Sequence, residues 1–252
     1  MAKLSEPLFT FKRGDHVCMF YQDEASMIEV LVPYILEGLV NGEQCFCVLP
    51  PRYSDGFLEA LTRTGVDPDR EMTQRALVVQ PPEDVYFPTG NFEGVAMIAM
   101  LGGAIAEAGR LGFTGFRSAG ELSWAAHGRC DCNRIVEYES MVDAVFPQQG
   151  ATGMCLYDMK EFPKPVLDKV IGAHRLSVDD SVADTQRRSL AVRHGEFYAD
   201  ITVDRADPSR FYYVAQESES ADVLGWGYSS DFQLAIAHSE RLMTEVVGAR
   251  AS

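Results

Sequence analysis

The chain has 252 residues, of which 46% are hydrophobic and 23% charged, an ordinary composition for a globular protein built on one large domain. Its formal net charge of −15 disfavours nonspecific contact with DNA, RNA or an anionic membrane. No apolar run approaches the ~20 residues of a membrane span and no signal-peptide pattern is present, so we expect a cytoplasmic protein.

Predicted strands and helices alternate through most of the chain. Strands are predicted, in chain order, over 16–21, 44–49, 76–79, 113–119 and 152–157, with an edge strand over 176–178. Helices are predicted over 24–40, 54–61, 92–111, 134–146 and 163–171. The proline-rich stretch 81–91 is predicted to be a long loop. This alternation predicts an α/β fold with a mostly parallel sheet and helices on both faces.

The last part of the chain has a different pattern. Residues 12–178 are predicted to form the main domain, and the polar stretch 179–194 a linker. Residues 195–252 are predicted to form a small α+β appendage, in which two or three strands precede one helix. An appendage of that size is marginally stable alone, so we expect it to pack on the main domain or on a second copy.

The junction after the first strand lacks the features of a phosphate-binding loop. Such loops provide glycines followed by Lys and Ser or Thr, whose N–H groups and ammonium bind phosphate. Residues 21–26 instead read Tyr-Gln-Asp-Glu-Ala-Ser, with two carboxylates that would repel a triphosphate. The sequence therefore predicts a scaffold of nucleotide-binding type without ATPase activity and without a cofactor.

The carboxyl ends of parallel strands form the usual ligand crevice of such a sheet. The residues predicted there carry carboxylates and aromatic rings suited to a small polar-headed or cationic organic molecule. They are Tyr21, Glu24, Glu121, Trp124, Tyr157 and Asp158. Structural alternatives stay open, because Glu121 is also placed to cap the following segment, Trp124 to fill the core and Glu24 to face a helix dipole.

One cluster on a predicted loop has metal-ligand chemistry. His127, Cys130 and Cys132 form an H-x-x-C-x-C pattern with soft nitrogen and sulfur donors. The pattern lacks a fourth ligand, so a loop with free thiols is the preferred interpretation and no metal is predicted.

Three further titratable residues are interpreted as structural. His16 lies at the end of the first strand opposite the crevice and is predicted to be a hydrogen-bonded structural residue. Glu137 and Glu139 are two positions apart on a helix, so at most one of them faces the interior.

Several short motifs, taken in order, resemble those of one known family. They are Gly14-Asp15-His16-Val17 with Phe20-Tyr21, Glu37-Gly38-Leu39-Val40-Asn41-Gly42-Glu43, Gly90-Asn91-Phe92, Gly120-Glu121-Leu122-Ser123-Trp124, Glu137-Tyr138-Glu139 and Cys155-Leu156-Tyr157-Asp158. Over about residues 12–178 the chain resembles the MEDS domain, the methanogen/methylotroph and dichloromethane-regulator sensory domain. The resemblance implies a RecA-like topology without the phosphate loop, and a regulator that senses small organic molecules. The chain departs from the family pattern in lacking a helix-turn-helix or kinase output.

These observations predict a sensory domain that binds a small organic ligand and signals to a regulatory protein, such as a kinase, an anti-sigma-type protein or a transcription regulator. A homodimer through the appendage is compatible with this role, whereas direct contact with nucleic acid or membrane is not expected. Two alternatives remain: an enzyme with Glu121 or Asp158 as general base, and a protein-binding scaffold without a small ligand. For the sensor, Trp124→Ala is expected to abolish ligand-dependent stabilisation and leave the fold intact.

Overall fold

One ten-stranded sheet organises the chain in a computed structural model that describes residues 11–127, 132–179, 189–203, 210–218, 220 and 223–250. The strands are β1 (His16–Tyr21), β2 (Gln44–Val48), β3 (Leu77–Gln80), β4 (Phe116–Glu121), β5 (Thr152–Asp158), β6 (Leu176–Asp179), β7 (Ser189–His194), β8 (Phe197–Val203), β9 (Phe211–Glu217) and β10 (Val223–Ser229). The helices are α1 (Glu24–Val40), α2 (Pro51–Arg63), α3 (Pro68–Thr73), α4 (Pro82–Tyr86), α5 (Gly94–Arg110), α6 (Cys132–Gln149), α7 (Lys164–Ala173) and α8 (Phe232–Arg250).

The strand order is β10-β9-β8-β7-β6-β1-β5-β4-β2-β3. Strands β1 to β6 pair in parallel, and β7 to β10 continue the sheet as an antiparallel meander that begins on β6. The predicted α/β fold with a mostly parallel sheet is therefore confirmed, whereas the RecA-like relationship stays a prediction.

Two apolar layers cover the sheet, and β1 shows how the sequence divides between them. Val17, Met19 and Tyr21 pack into the layer that contains α1, α2 and α8. Cys18 and Phe20 point to the other layer, which contains α4 to α7. Because successive side chains on a strand point to opposite faces, a run buried on both faces reads as continuously apolar.

A buried arginine joins the α1–β2 turn to β4. Arg117 is 1% exposed, and its Nε donates to Glu43 Oε2 at 2.6 Å while its Nη1 donates to Glu37 Oε2 at 2.8 Å. Its guanidinium also lies 4.7 Å from the ring centroid of Tyr34. Gly38 makes this approach possible, since a Cβ there would lie 2.8 Å from Arg117 Cδ. The Glu37–Glu43 motif is thus explained as an arginine-binding turn.

Several predicted boundaries were wrong for local reasons. β4 begins at Phe116 and not at residue 113, because Gly112 has a φ of +88° and Thr114 N donates to the Gly42 carbonyl in a turn. α2 begins at Pro51 and not at residue 54, since proline suits the first helical position. The predicted loop 81–91 contains the short helix α4.

The carboxyl-terminal part of the chain is joined to the main sheet. Residues 189–194, predicted as part of a linker, form β7, which pairs with β6. β6 therefore lies inside the sheet, and its prediction as an edge strand was wrong. The division into a main domain and an appendage stays a prediction, and the sheet crosses the proposed boundary. Among the described helices, none combines the length and apolar character that crossing a bilayer requires.

Candidate functional site

Tyr21, Glu121 and Asp158 are the last residues of β1, β4 and β5. The parallel register places their backbones close together at the carboxyl-terminal ends of these strands. Tyr21 Oη donates to Glu121 Oε1 at 2.8 Å, and Ser123 N donates to the same oxygen at 2.9 Å. Ser123 Oγ also donates to this oxygen. Two of the six predicted site residues, Tyr21 and Glu121, are therefore in direct contact.

Glu121 is fully buried, and its second oxygen, Oε2, has no hydrogen-bond partner within the described part of the chain. Burial raises the pKa of Glu121, against the lowering effect of hydrogen bonds from Ser123 and Tyr21 and of the charge on Arg52. The site thus holds a carboxyl group that gives up its proton less readily than an exposed one.

We expect Glu121→Gln to change the pH dependence of stability. Because the folded-state pKa of Glu121 is above its unfolded value, the native protein binds more protons than the unfolded chain between those two values. The wild-type protein therefore loses stability as pH rises through that interval, by about 1.4 kcal/mol for each pKa unit of difference. The Gln variant lacks this loss, so urea midpoints of the two proteins should move apart as pH rises above the ordinary glutamate pKa of 4.5.

Glu59→Gln is the matched control for this prediction. The Glu59 side chain is 74% exposed and pairs with Arg63 on the helix surface. Its pH profile should run parallel to that of the wild type. Parallel profiles for Glu121→Gln as well would show that burial does not hold a proton on Glu121.

Trp124 lies on the other face of the sheet, inside a cluster of aromatic rings. Its ring centroid is 4.8 Å from that of Tyr86, 4.9 Å from that of Phe87 and 4.9 Å from that of Phe92. The side chain is buried, and the indole Nε1 finds no acceptor among the residues that the structure describes. The structure therefore separates Trp124 from the Tyr21–Glu121 pair and places it in the core.

The other three predicted residues also have defined positions. Glu24 occupies the first turn of α1. Its carboxylate packs against Gly56 and fills the space that a Cβ at position 56 would need. Asp158 Oδ1 accepts from Lys160 N at 2.8 Å and so shapes the turn after β5. Tyr157 points to the opposite face and donates to Glu139 Oε1. The predicted crevice is thus divided between two faces of the sheet.

A buried polar group surrounds Glu139, and we call His16, Glu139, Cys155 and His174 the Glu139 cluster. Glu139 Oε2 lies 3.3 Å from His16 Nε2 and 3.3 Å from His174 Nε2, and Cys155 Sγ donates to it at 3.2 Å. All four residues are buried. Glu137 is exposed, which confirms the prediction that at most one of the two glutamates faces inward.

The charges within the Glu139 cluster perturb one another. Burial lowers the pKa of His174, but the neighbouring Cys18 and Glu139 outweigh that effect and raise it to about 9. Burial raises the pKa of Glu139, yet the charges and hydrogen bonds of His174 and His16 lower it well below its ordinary range. Burial raises the pKa of the Cys155 thiol.

A narrow cavity of about 20 Å³ lies between the sheet and helices α5 and α6. Most of its wall is apolar, with contributions from Phe46, Val48, Met97 and Leu101, and His16 and Cys155 of the Glu139 cluster also line it. Gly120 and Gly153 line it too, and at both positions a Cβ would collide with an aromatic side chain, Tyr86 and Phe146 respectively.

The predicted loop cluster is only partly described. His127 Nε2 lies 2.9 Å from Glu161 Oε2 on a half-exposed surface. Cys130 lies outside the described residues, and so does the side chain of Cys132. The preferred interpretation of this loop as one with free thiols stays a prediction.

A family model described as MEDS, the MEthanogen/methylotroph, DcmR Sensory domain, matches residues 15–175. The chain belongs to the MEDS family. The family is one of sensory domains, and the matched residues contain β1 to β5, the cavity and the Glu139 cluster. A search of curated proteins gave no match to this MEDS domain.

Sequence reasoning missed the Glu139 cluster in this MEDS domain. It treated His16 alone and Glu139 only as one of a pair, and it named Cys155 only as part of a family motif. The register of parallel strands was the available signal, because His16 pairs with Gly153 and Cys18 with Cys155, which places His16 and Cys155 on one face. The position of His174 could be found only once α7 was placed.

Proposed function

We propose that this MEDS domain senses a small, largely apolar organic molecule, which binds in the cavity between the sheet and helices α5 and α6. The observation that carries the proposal is an apolar cavity with few polar groups in a chain of a sensory family. At about 20 Å³ the cavity holds little more than one water-sized group, so a ligand must be compact and must displace α5 or α6 to enter.

The chemistry of the cavity wall supports a mainly uncharged ligand. Phe46, Val48 and Leu101 offer no polar atoms beyond the backbone, so a charged ligand would lose its hydration without replacement. Tyr138 also lines the cavity, and burial raises the pKa of its hydroxyl, which therefore stays protonated and able to donate. A ligand with one acceptor atom and an apolar body fits this arrangement best.

Binding at the strand ends near Tyr21 and Glu121 stays a prediction, and the contacts there favour the cavity instead. Glu121 Oε1 already accepts from Tyr21 Oη and from Ser123. The other oxygen, Oε2, has no hydrogen-bond partner in the described part of the chain, but it is fully buried. A ligand would therefore reach it only after a conformational change. The alternative of an enzyme with Glu121 or Asp158 as general base requires such movement, since Asp158 is also occupied by Lys160 N.

Signalling would follow from a shift between conformers. Helix α5 contributes Met97 and Leu101 to the cavity, and α6 contributes Tyr138, so a bound molecule changes the packing of two helices. The ligand supplies only its difference in affinity for the two conformers.

We propose that a regulatory protein or a second copy binds the face of β7 to β10 that α8 does not cover, where Tyr198 and Tyr212 are half-buried.

The cavity is tested by thermal unfolding with small apolar probes. We expect benzene, dichloromethane or 1-butanol, at ~100 times its Kd, to stabilise the wild type by about 2.7 kcal/mol, which is several degrees in Tm. Leu101→Trp, which fills the cavity, should lose this shift, and Met97→Phe should reduce it. Val95→Trp on the same helix is the matched control, because Val95 is 74% exposed.

Three outcomes would contradict the proposal. An unchanged shift in a folded Leu101→Trp protein would place the ligand elsewhere. A rise in Tm with magnesium and ATP would show that a nucleotide binds in spite of the missing phosphate loop. Conversion of a bound probe to product would favour the enzyme alternative.

A further inference from the structure

The Glu139 cluster brings together four donor groups from four elements. His16 comes from β1, Glu139 from α6 and Cys155 from β5, while His174 follows α7. One donor atom from each lies within 4.8 Å of the others, and all four residues are buried. Two imidazoles, a carboxylate and a thiol are rarely buried together, because each buried polar side chain needs a hydrogen-bond partner or an opposite charge.

The spacing of these atoms is that of ligands around a small metal ion. His16 Nε2 lies 3.4 Å from Cys155 Sγ, and Glu139 Oε2 lies between 3.2 and 3.3 Å from the donor atoms of the other three. A tetrahedral zinc ion with bonds of about 2.0–2.3 Å holds its ligand atoms roughly 3.3–3.7 Å apart. Four of the six distances between donor atoms are therefore close to these values, and the other two are no longer than 4.8 Å.

Neighbouring groups orient the donors toward the centre. His174 Nδ1 donates to the Val170 carbonyl at 2.8 Å, so its Nε2 faces the cluster, where a metal would replace the proton that Nε2 carries. His16 Nδ1 faces the Asp143 carboxylate across 3.6 Å. Tyr157 donates to Glu139 Oε1, and this leaves Oε2 for the centre. Histidines that bind metals usually have such outer partners on the second ring nitrogen.

The buried atoms themselves indicate a missing partner. His174 Nε2 lies 3.3 Å from Glu139 Oε2, but across the described residues it has no partner that meets hydrogen-bond geometry. Without a metal, the Cys155 thiol donates to Glu139 Oε2. A divalent metal would displace the thiol proton, so that thiolate, carboxylate and imidazole groups all become ligands.

We propose that His16, Glu139, Cys155 and His174 bind a divalent transition-metal ion, with zinc the best match to the donor set. Nitrogen, oxygen and sulfur donors in a four-ligand arrangement are typical of zinc, and four protein ligands give a closed site that stabilises structure. His16 and Cys155 also line the cavity, but the proposal does not depend on what the cavity binds.

Metal binding is tested on the purified full chain. After chelation and addition of zinc, we expect about one zinc ion per chain by elemental analysis, as a four-ligand site requires. Reconstitution with cobalt should produce the visible bands of tetrahedral Co²⁺ and a near-ultraviolet thiolate-to-cobalt charge-transfer band. Cys155→Ala should lose the charge-transfer band. Cys47→Ala is the matched control, because Cys47 is also buried but lies on the opposite face of the sheet.

A milder variant keeps the test decisive if Cys155→Ala fails to fold. Asp143 is part-exposed and faces the cluster through His16, so Asp143→Asn should fold and weaken zinc affinity by about 10–100-fold. X-ray absorption of the zinc-loaded wild type should show one sulfur ligand.

The proposal would be overturned if the folded wild-type protein bound neither zinc nor cobalt in a stoichiometric amount. Protons on the histidines and the thiol would then neutralise the charge of Glu139. It would also be overturned if the charge-transfer band survived in Cys155→Ala, or if it depended instead on Cys130 or Cys132.

Discussion

Arg117→Met should destabilise the protein by about 3–5 kcal/mol, because it removes the close cation from two carboxylates and leaves Glu43 only the more distant Arg13, at 3.7 Å. The side chain of Glu43 is 4% exposed and that of Glu37 is 19% exposed, so water cannot fully replace the guanidinium. Arg117 also donates to the Tyr34 carbonyl at 3.1 Å, and this acceptor would lose a partner. Urea unfolding at neutral pH, with the slope checked for two-state behaviour, measures the loss.

Two comparisons separate the buried ion pair from a general effect of removing arginine. Arg63→Met removes a surface pair with Glu59 in which both side chains are more than half exposed, and should cost less than about 0.5 kcal/mol. Adding Glu43→Gln to Arg117→Met should restore part of the lost stability, because the unpaired buried charge is then gone. A loss below ~1 kcal/mol for Arg117→Met would mean that water enters and solvates both carboxylates.

The same arginine shows why β4 was misplaced by the sequence. Arg117 is the second residue of β4, where its charge interrupts the apolar run, so the sequence pattern does not show where the strand begins. β2 and β5 were predicted within a residue or two because their runs are apolar throughout, as expected for strands buried on both faces. A local hydrophobic pattern indicates which strands are buried. It does not reveal that the charge of Arg117 is neutralised by Glu43 and Glu37, which lie 74 and 80 positions away in the sequence.

The candidate site was predictable only where it depended on strand ends. Parallel pairing brings the ends of β1, β4 and β5 together, so the contact between Tyr21 and Glu121 followed from topology. A shift of one residue along a strand moves a side chain to the other face of the sheet. Tyr157 and Asp158 are adjacent in sequence and therefore point to opposite faces. The Glu139 cluster needs helices α6 and α7 in place, and no short sequence pattern contains that information.

Trp124→Ala should cost about 3–5 kcal/mol, because it removes a buried ring from the centre of an aromatic cluster. Tyr86, Phe87 and Phe92 all lie within 5 Å of Trp124 by ring centroid and would border the resulting cavity. The expectation that this substitution leaves the fold intact while removing ligand binding therefore does not fit the packing. Thermal and urea unfolding of the variant without any ligand would measure the cost.

Trp124→Phe and Val95→Ala complete the experiment. Phenylalanine keeps most of the ring contacts and removes an indole N–H that has no acceptor in the described structure, so its cost should be well below that of alanine. Val95→Ala alters an exposed position and should stay within about 0.5 kcal/mol of the wild type. If Trp124→Phe keeps its stability but loses the shift produced by 1-butanol, the indole N–H binds the hydroxyl of the probe. If Trp124→Ala proves as stable as the wild type, the aromatic cluster does not support the core, and Trp124 becomes available as a ligand contact.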